Sequence, residues 1–499
     1  MIGSETGITR LLTLSLAVFI ALVAYGWTGY LASDDAIYAA GAYGWLREFP
    51  YVGGHGTIRY TITIPIALSF LTFGEQEFSL ALPTLLYTLG LIGILVAITH
   101  RNTGSTAALI LAGLLATNPI LVTWASIASV DIIEAFFLFL SLTFFYRSVT
   151  QGATAGRLLL TGAFAALAFL TRETTVFFVA FIGVLFLFGY GIDRWRYFII
   201  GAGFLAVWLA EVLYLFVMTG DPLYRLNISL HHGGGKIDRG IDLAGNVIIH
   251  PIVDPLLVIL ANQEFVFLFW IAIPLGIWMA FRKSVSPAVR HAVIVFGGVG
   301  LFWFLCAGAA HDLLPLNPRY FLITALGATV VTALALAELL RNQSQRLVFV
   351  ALFLLIGGNI AGIYVENRNS LFGEKALAEI TQRYPGALYT DPMTRYRADL
   401  LLTWKEAAER VSGDAPPPGS VYVYNATRAN RPNKFMPKDE MGAYQPQGDW
   451  KPLEEVRPSS KIAGRLLKLA GLEDRIPKKL MNVLSEGHSG IVIYQIPSR

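Results

Sequence analysis

The sequence has little cysteine and little charge. Cys306 is the single cysteine in 499 residues, which excludes an intrachain disulfide framework and a paired-cysteine metal site. It lies within an apolar run, so we interpret it as a small core residue. Only 14% of residues are charged, whereas soluble domains average about a quarter. The basic residues stand singly between apolar segments and form no stripe, which gives no case for a nucleic-acid partner.

Hydrophobic residues make up 55% of the chain and form long runs between residue 11 and about residue 365. A helix needs about 20 apolar residues to cross a bilayer, and lipid-exposed backbone must be helical or form a closed barrel. The first run is too long for the core of a signal peptide, so we read it as an uncleaved helix. The segment 61–73 is too short to span and is predicted to be interfacial or re-entrant. The sequence predicts about eleven transmembrane helices, at 11–31, 79–99, 106–121, 130–146, 158–171, 174–190, 198–219, 265–281, 291–308, 319–339 and 347–364.

Orientation follows from the short loops. With a cytoplasmic N-terminus, every short inner loop carries at least one arginine, which is the positive-inside pattern. An odd number of spans then places residues 367–499 outside. We expect a multi-pass protein of the plasma (inner) membrane with a periplasmic C-terminal domain.

The C-terminal part has a different composition. Residues 387–390, 420–425 and 489–496 alternate like strands, and 395–411 has a helical pattern. The predicted fold is therefore an all-α polytopic membrane domain (1–366), with juxtamembrane helices, followed by a soluble α/β domain (367–499).

Charged residues cluster at the outer helix ends, and charge near membrane depth is costly and usually functional. If the helices form a bundle, these groups converge on an outer-leaflet cavity that holds carboxylates as candidate bases and arginines as candidate phosphate ligands. They are Asp34, Asp35, Arg59, Asp131, Glu134, Arg172, Glu173, His311, Asp312 and Arg319.

Each charged group has a structural alternative. The acidic pair can cap a helix that begins at Ala36, and Asp131 can cap the helix that follows it. Arg172 and Glu173 can form an ion pair that closes a tight turn. The remaining arginines, Arg59 and Arg319, can simply mark the membrane interface. A zinc site at His231 and His232 has weak support, because no further ligands lie at a suitable spacing.

The order of these pieces resembles the GT-C glycosyltransferases, in the branch of protein O-mannosyltransferases and the lipid A aminoarabinose transferase. SDDAIYAAGAYGWLREFPYVGGHGTIRYTITIP resembles the family's acidic pair, Tyr-Ala helix and basic residue before prolines. Asp34 matches the first acid, Asp35 stands where Glu is usual, and Arg59 stands where lysine is common. Further resemblances are FGEQEFSLALPTLLYTLG, the helix start at Asp131, AFLTRET and NPRYFLITALGA.

The chain also departs from the family. The lysine-proline-proline element is replaced by RYTITIP, and the TRET turn lacks the usual glycine. The C-terminal domain shows no resemblance to a known family.

The resemblance implies an inverting transferase that moves a sugar, a hexose or a pentose, from a polyprenyl-phosphate donor to a hydroxyl on a glycan, lipid or protein at the outer face. It implies Asp34 as the base, with Asp35 as the second candidate, and no metal or other cofactor. Arg59, Arg172 and Arg319 are the expected ligands of the donor phosphate. The expected substrate-binding residues are Tyr38, His55, Tyr60, Asp131, Glu173 and Tyr320.

Two other functions remain open from the sequence. A transporter or lipid-linked sugar flippase would share the helix number, but it predicts broken or charged helices at the midplane and internal repeats. A receptor or scaffold would leave the outer acidic and arginine groups unexplained.

Overall fold

The computed structural model describes residues 5–230, 252–310, 316–342, 344–366, 371–458 and 490–498, and single positions among 467–481. The chain forms two compact units. The helical unit comprises Met1–Trp27, Ile37–Ser69 and Ala81–Asn367. The sheet unit comprises Thr28–Ala36, Phe70–Leu80 and Arg368–Arg499.

The chain up to residue 366 is helical in its described parts. Short 3-10 turns lie at Glu173–Thr175 and Pro318–Phe321, and a π-helical stretch lies at Val293–Gly297. The helices are α1 (Glu5–Tyr25), α2 (Asp34–Arg47), α3 (Tyr60–Phe73), α4 (Glu77–Thr103), α5 (Ser105–Ala116), α6 (Pro119–Ala125), α7 (Val130–Gln151), α8 (Ala155–Thr171), α9 (Val176–Phe188), α10 (Arg194–Thr219), α11 (Tyr224–Leu230), α12 (Val253–Ala261), α13 (Leu268–Phe281), α14 (Pro287–Ala292), α15 (Gly298–Ala309), α16 (Leu322–Arg341) and α17 (Gln345–Glu366).

Within the described residues, six helical segments are long and apolar enough to cross a membrane: Glu77–Thr103, Val130–Gln151, Arg194–Thr219, Pro287–Ala309, Pro318–Arg341 and Gln345–Glu366. The bent pair α5 and α6 adds a possible seventh, and α1, α3, α8, α9 and α13 lie in shorter apolar helices. The all-α polytopic prediction is confirmed. A helix occupies each predicted span, but the number of eleven crossings stays a prediction.

Two predicted spans have wrong boundaries. The first helix ends at Tyr25 and does not continue to residue 31, since the chain turns through Gly29 at a φ of 67°. The span at 106–121 is two helices at 55°, because Asn118 caps α6 and Pro119 occupies its first position.

Small residues let helices of the helical unit approach closely. A Cβ atom added at Gly162 of α8 would lie 1.8 Å from the Ile200 carbonyl oxygen of α10. A Cβ atom at Gly203 of α10 would in turn lie 2.1 Å from the Leu159 carbonyl oxygen. Such small-residue contacts are a common means of helix association in membranes. They fix α8 against α10, and these two helices carry or adjoin several residues of the candidate site.

The sheet unit contains α18 (Phe372–Arg383), α19 (Pro392–Trp404), α20 (Ala426–Ala429) and 3-10 turns at Ala408–Arg410 and Met441–Tyr444. Its five strands are β1 (Leu388–Thr390), β2 (Val411–Ser412), β3 (Val421–Asn425), β4 (Lys451–Val456) and β5 (Ile491–Gln495). The strand order is β2-β1-β3-β5-β4. β1 is parallel to β2 and β3, and β5 is antiparallel to β3 and β4. One side of the sheet packs on the buried cluster of Tyr422, Met436, Tyr444, Trp450 and Ile496.

The predicted strands at 387–390, 420–425 and 489–496 appear as β1, β3 and β5, whereas β2 and β4 were not predicted. The predicted helix 395–411 is wrong at both ends. Asp391 caps α19 and Pro392 starts it, while Glu406 has a φ of 53° and ends the helical course. Val411, predicted as helical, begins strand β2.

Candidate active site

A buried ion pair joins the start of α7 to the end of α8. The Arg172 Nη1 atom donates to Asp131 Oδ1, and the Ser129 hydroxyl donates to the other oxygen of Asp131 at 3.3 Å. Both charged side chains are almost fully buried. The sequence alternatives for these residues are therefore wrong: α7 has no side-chain cap, and the partner of Arg172 is Asp131 rather than Glu173.

Glu134 lies one turn further along α7 and is 2% exposed. Its Oε1 accepts hydrogen bonds from the hydroxyls of Thr174 at 2.7 Å and Thr175 at 2.8 Å. Thr174 ends the TRET segment and Thr175 follows it, so both carboxylates of α7 hold the same turn. The turn that connects α8 to α9 is thereby fixed by two separate polar contacts.

Glu173 binds two arginines from distant parts of the chain. Its carboxylate lies 3.6 Å from Arg59 and 3.0 Å from Arg225. Arg59 also donates to the Tyr38 hydroxyl at 2.9 Å, which connects this network to α2. His55 lies within electrostatic reach of Glu173.

Arg225 of α11 is 8% exposed and has the most hydrogen bonds of this network. It donates to both carboxylate oxygens of Glu211 in α10, at 2.9 and 2.7 Å. It also donates to the carbonyl oxygens of Leu170 at 3.0 Å and Ile58 at 3.4 Å. A single guanidinium therefore joins α10 and α11 to the chain before α3 and to the end of α8.

Arg319 and Tyr320 complete the arginine group. The Tyr320 ring lies 4.4 Å from the Arg172 guanidinium carbon and 5.3 Å from that of Arg319. Both Arg319 and Arg59 lie within electrostatic reach of Arg172. The three arginines predicted to bind phosphate are thus brought together in the helical unit.

A cavity of about 10 Å³ lies within this group, lined by Asp131, Glu134, Arg172, Trp303, Arg319, Tyr320, Leu322 and Ile323. That volume suits about one water molecule, and the walls offer several polar partners for it. The Trp303 indole donates to the Tyr320 carbonyl oxygen at 2.9 Å, which fixes the turn that carries Tyr320.

The acidic pair occupies the first turn of α2, and both residues belong to the sheet unit. The Asp35 carboxylate accepts from the backbone N–H groups of Leu31, Ser33 at 2.7 Å and Ala36 at 3.1 Å. Burial raises the pKa of the Asp35 carboxyl above its usual value, although these hydrogen bonds act in the opposite direction. The helix begins at Asp34 rather than at Ala36, so Asp35 lies inside its first turn and holds the backbone that leads into it. Asp34 is the more exposed of the two.

Tyr60 borders an open, mainly apolar groove of about 400 Å³ in the helical unit. The groove runs between α3, α8 and α10 and is lined by Tyr60, Thr61, Ile64, Pro65, Leu167, Leu170, Val207, Glu211 and Tyr214. Glu211 is therefore shared between the groove and the Arg225 network.

The remaining sequence candidates lie outside the described residues: His311 and Asp312 of the outer cluster, and His231 and His232 of the weak zinc hypothesis. Among the described residues, no group of three or more His, Cys, Asp or Glu side chains is arranged to hold a metal. Independence from metal stays a prediction.

Sequence reasoning missed Arg225 and Glu211. A signal was present, because Glu211 is an ionisable residue inside a predicted span and such residues usually have a functional partner. Arg225 follows that span by a few residues, so the sequence offered a basic partner for Glu211.

The fold of the chain is similar to that of solved membrane proteins with a GT-C fold. The chain aligns with ArnT from Cupriavidus metallidurans in the apo state with a TM-score of 0.57, at 13% identity over 88% of this chain and 99% of that one. ArnT from Cupriavidus metallidurans bound to undecaprenyl phosphate gives a TM-score of 0.56 at 13% identity, over 85% of this chain and 94% of that one. A third similar structure is the archaeal oligosaccharyltransferase AglB from Archaeoglobus fulgidus, in complex with an inhibitory peptide and a dolichol-phosphate. Its TM-score is 0.50 at 10% identity, over 98% of this chain and 88% of that one.

One part of the sequence also matches a family model. Residues 62–214 match the family described as dolichyl-phosphate-mannose-protein mannosyltransferase. No curated protein sequence gives a significant match. The predicted resemblance is confirmed: residues 62–214 are similar to this family, and the fold is similar to that of GT-C proteins of known structure.

Proposed function

We propose that the protein transfers a sugar from a polyprenyl-phosphate donor to an acceptor hydroxyl at the outer face of the membrane. The observation that carries this proposal is that Arg59 and Arg319 both lie within electrostatic reach of Arg172, with the Tyr320 ring against Arg172 and Arg319. Like charges in a buried site repel, and a bound phosphate anion would relieve that repulsion. Arginine suits the task because its planar guanidinium donates to phosphate in a bidentate manner.

The carboxylates of the network keep the arginines in place before the donor arrives. Asp131 holds Arg172, and Glu173 holds Arg59. When the C1–O bond to phosphate breaks, negative charge grows on the leaving phosphate. Prearranged cations stabilise that charge without reorganisation, which is the largest single contribution in many enzymes.

Asp34 is the proposed base. It lies one helical turn before Tyr38 on α2, and residues at this spacing share a helix face. The acceptor oxygen attacks C1, its proton passes to Asp34, and polyprenyl phosphate leaves from the opposite side, so the anomeric centre is inverted.

The apolar groove beside Tyr60 supports a lipid-linked donor. Its walls, Ile64, Pro65, Leu167 and Val207 among them, offer apolar surface suited to an isoprenoid chain. The neighbouring arginine network would then receive the phosphate at the head of that chain. The sugar, a hexose or a pentose, and the acceptor, a glycan, lipid or protein, are left to experiment.

The proposal includes the orientation predicted from the inner-loop arginines, with the acceptor side periplasmic in an inner membrane. It requires no metal, since arginines can balance the phosphate charge.

The test is a transfer assay with the purified protein in proteoliposomes, which contain a panel of polyprenyl-phosphate sugars and candidate acceptors. We expect release of polyprenyl phosphate with the wild type and a decrease of ~10²-fold or more for Asp34→Asn, as is typical for a lost general base. Asp35→Asn should reduce the rate less, because the Asp35 carboxylate is occupied by backbone N–H groups.

Three other results would change the assignment. An active Asp34→Asn with an inactive Asp35→Asn would move the base to Asp35. Full activity of both variants would exclude the acidic pair. Movement of the lipid-linked sugar across the bilayer without phosphate release would favour the flippase.

A further inference from the structure

Two helices of the sheet unit contact the segment that precedes the acidic pair. Lys375 of α18 donates from Nζ to the Thr28 carbonyl oxygen at 2.9 Å. Arg397 of α19 donates from Nη2 to the Leu31 carbonyl oxygen at 2.7 Å. Both contacts join residues about 350 positions apart in sequence, within one compact unit.

The Leu31 contact leads directly to the acidic pair. Arg397 binds the Leu31 carbonyl oxygen, while the Leu31 N–H donates to the carboxylate of Asp35. Asp35 is 2% exposed and also accepts from Ser33 and Ala36. A displacement of Leu31 would therefore change the position of Asp35 and of the first turn of α2.

The two cations are themselves held in place. The buried carboxylate of Glu374 lies 2.7 Å from Arg428 and 3.8 Å from Arg397. Lys375 forms an ion pair of 2.9 Å with Glu77 at the start of α4. The cations are thus fixed by partners outside the 28–36 segment.

The backbone of this segment needs such support. Ala32 has a φ of 54°, in the left-handed region that residues with a Cβ rarely adopt. Strained backbone of this kind persists only when its surroundings determine it. The Trp404 ring of α19 adds an edge contact to Tyr30, with ring centroids 5.9 Å apart.

We propose that the C-terminal domain positions the acidic pair, with Arg397 and Lys375 as the positioning residues. Arg397 fixes the Leu31 peptide, which orients Asp35, and the first turn of α2 then presents Asp34. This inference rests on the proposed function only in the role of Asp34 as base. The sheet unit would then influence the rate of transfer through the position of the acidic pair.

The test uses full-length protein with Arg397→Ala, Arg397→Lys and Lys375→Ala. Misplacement of a catalytic group by about 1 Å lowers rates by about 100-fold. We expect Arg397→Ala to lower kcat by ~10- to 100-fold with donor KM within about twofold of wild type. Arg397→Lys should recover most of the rate, since its ammonium group can still donate to Leu31.

Arg395→Ala is the matched control. Arg395 lies on the same helix, and its hydrogen bonds go to Asp399, Val411 and Ala408 within the domain. It should lower thermal stability at least as much as Arg397→Ala while leaving kcat near wild type. The same kcat in Arg397→Ala and Arg395→Ala would overturn the proposal.

Hydrogen exchange separates this proposal from the proposed function, because it needs no activity. The Leu31, Ser33 and Ala36 amides should exchange faster in Arg397→Ala than in Arg395→Ala. Faster exchange in Arg397→Ala, together with a wild type that shows no transferase activity, would support the contact chain and overturn the proposed function alone. Unchanged exchange would overturn the positioning role.

Discussion

At the scale of single residues, the arginine–carboxylate contacts carry most of the functional argument. Arg59 contacts Tyr38 and Glu173 and is partly exposed, with 15% of its side chain accessible. It can therefore meet a ligand without leaving its partners. By contrast, Arg172 and Arg225 are more deeply buried. This difference makes Arg59 the first arginine to test for donor binding.

We predict that Arg59→Ala raises donor KM strongly, while Arg59→Lys keeps part of the affinity. Loss of a charge-assisted contact typically costs about 1.5–3 kcal/mol, which corresponds to roughly 10- to 150-fold. Donor titration of the purified variants measures this change, and Arg147→Ala, which loses only a contact with Gln151, is the control. An unchanged donor dependence would mean that Arg59 only marks the interface.

The Asp131–Arg172 pair should behave as a coupled buried pair. Removing one partner leaves the other charge buried and unpaired, which costs about 3–5 kcal/mol. We predict that Asp131→Asn and Arg172→Gln each lower thermal stability strongly and that the double variant regains part of the loss. Additive losses in this double-mutant cycle would show that the two side chains are not coupled.

These pairs also show where sequence reasoning stops at this scale. The TRET turn and the Pro-Arg-Tyr phrase marked residues that the structure brings together in the helical unit, because charge at the end of an apolar helix is unusual. Their partners could not be assigned, since Asp131 and Arg172 are separated by 41 positions and Arg59 and Glu173 by much more. Pairings of that kind depend on how the helices pack.

At the scale of elements, α11 is attached to the helical unit through Arg225. Its guanidinium binds Glu211 of α10 and Glu173 of the TRET turn, so this short helix has a charged anchor. Periodicity could not reveal such a helix, because its seven residues complete only two turns. The longer helices could be predicted from the sequence, because each contains a long apolar run.

We predict that Arg225→Met releases α11 and leaves Glu211 buried without its partner. A broken buried pair costs about 3–5 kcal/mol, so limited proteolysis within α11 should become much faster. Glu211→Gln in the same protein should restore part of the protection. The control is Asn227→Ala, since Asn227 on the same helix has an exposed contact with Asp221. Equal proteolysis of both single variants would contradict the anchor.

At the scale of the whole molecule, the sequence predicted two parts, and the structure adds that the sheet unit includes two segments from the N-terminal half. Thr28–Ala36 and Phe70–Leu80 belong with Arg368–Arg499. Composition could not show this, because both segments lie beside apolar spans. Their assignment comes from contacts such as Lys375 with Thr28 and Glu77.

The last prediction is topological. A basic residue stands in every short loop assigned to the inner side, and the cost of moving such loops outward sets the orientation of membrane proteins. We therefore expect the N-terminus in the cytosol and residues 367–499 outside. A reporter that is active only in the exterior compartment, fused after Arg499, measures the location of the C-terminus. The control is the same reporter fused in the 147–157 loop, which should lie in the cytosol. Cytosolic activity of the C-terminal fusion would place the acidic pair and its supporting domain on the wrong side for an outer-face transferase. The network of Arg59, Arg172 and Arg319 would then require a donor presented from the cytosol.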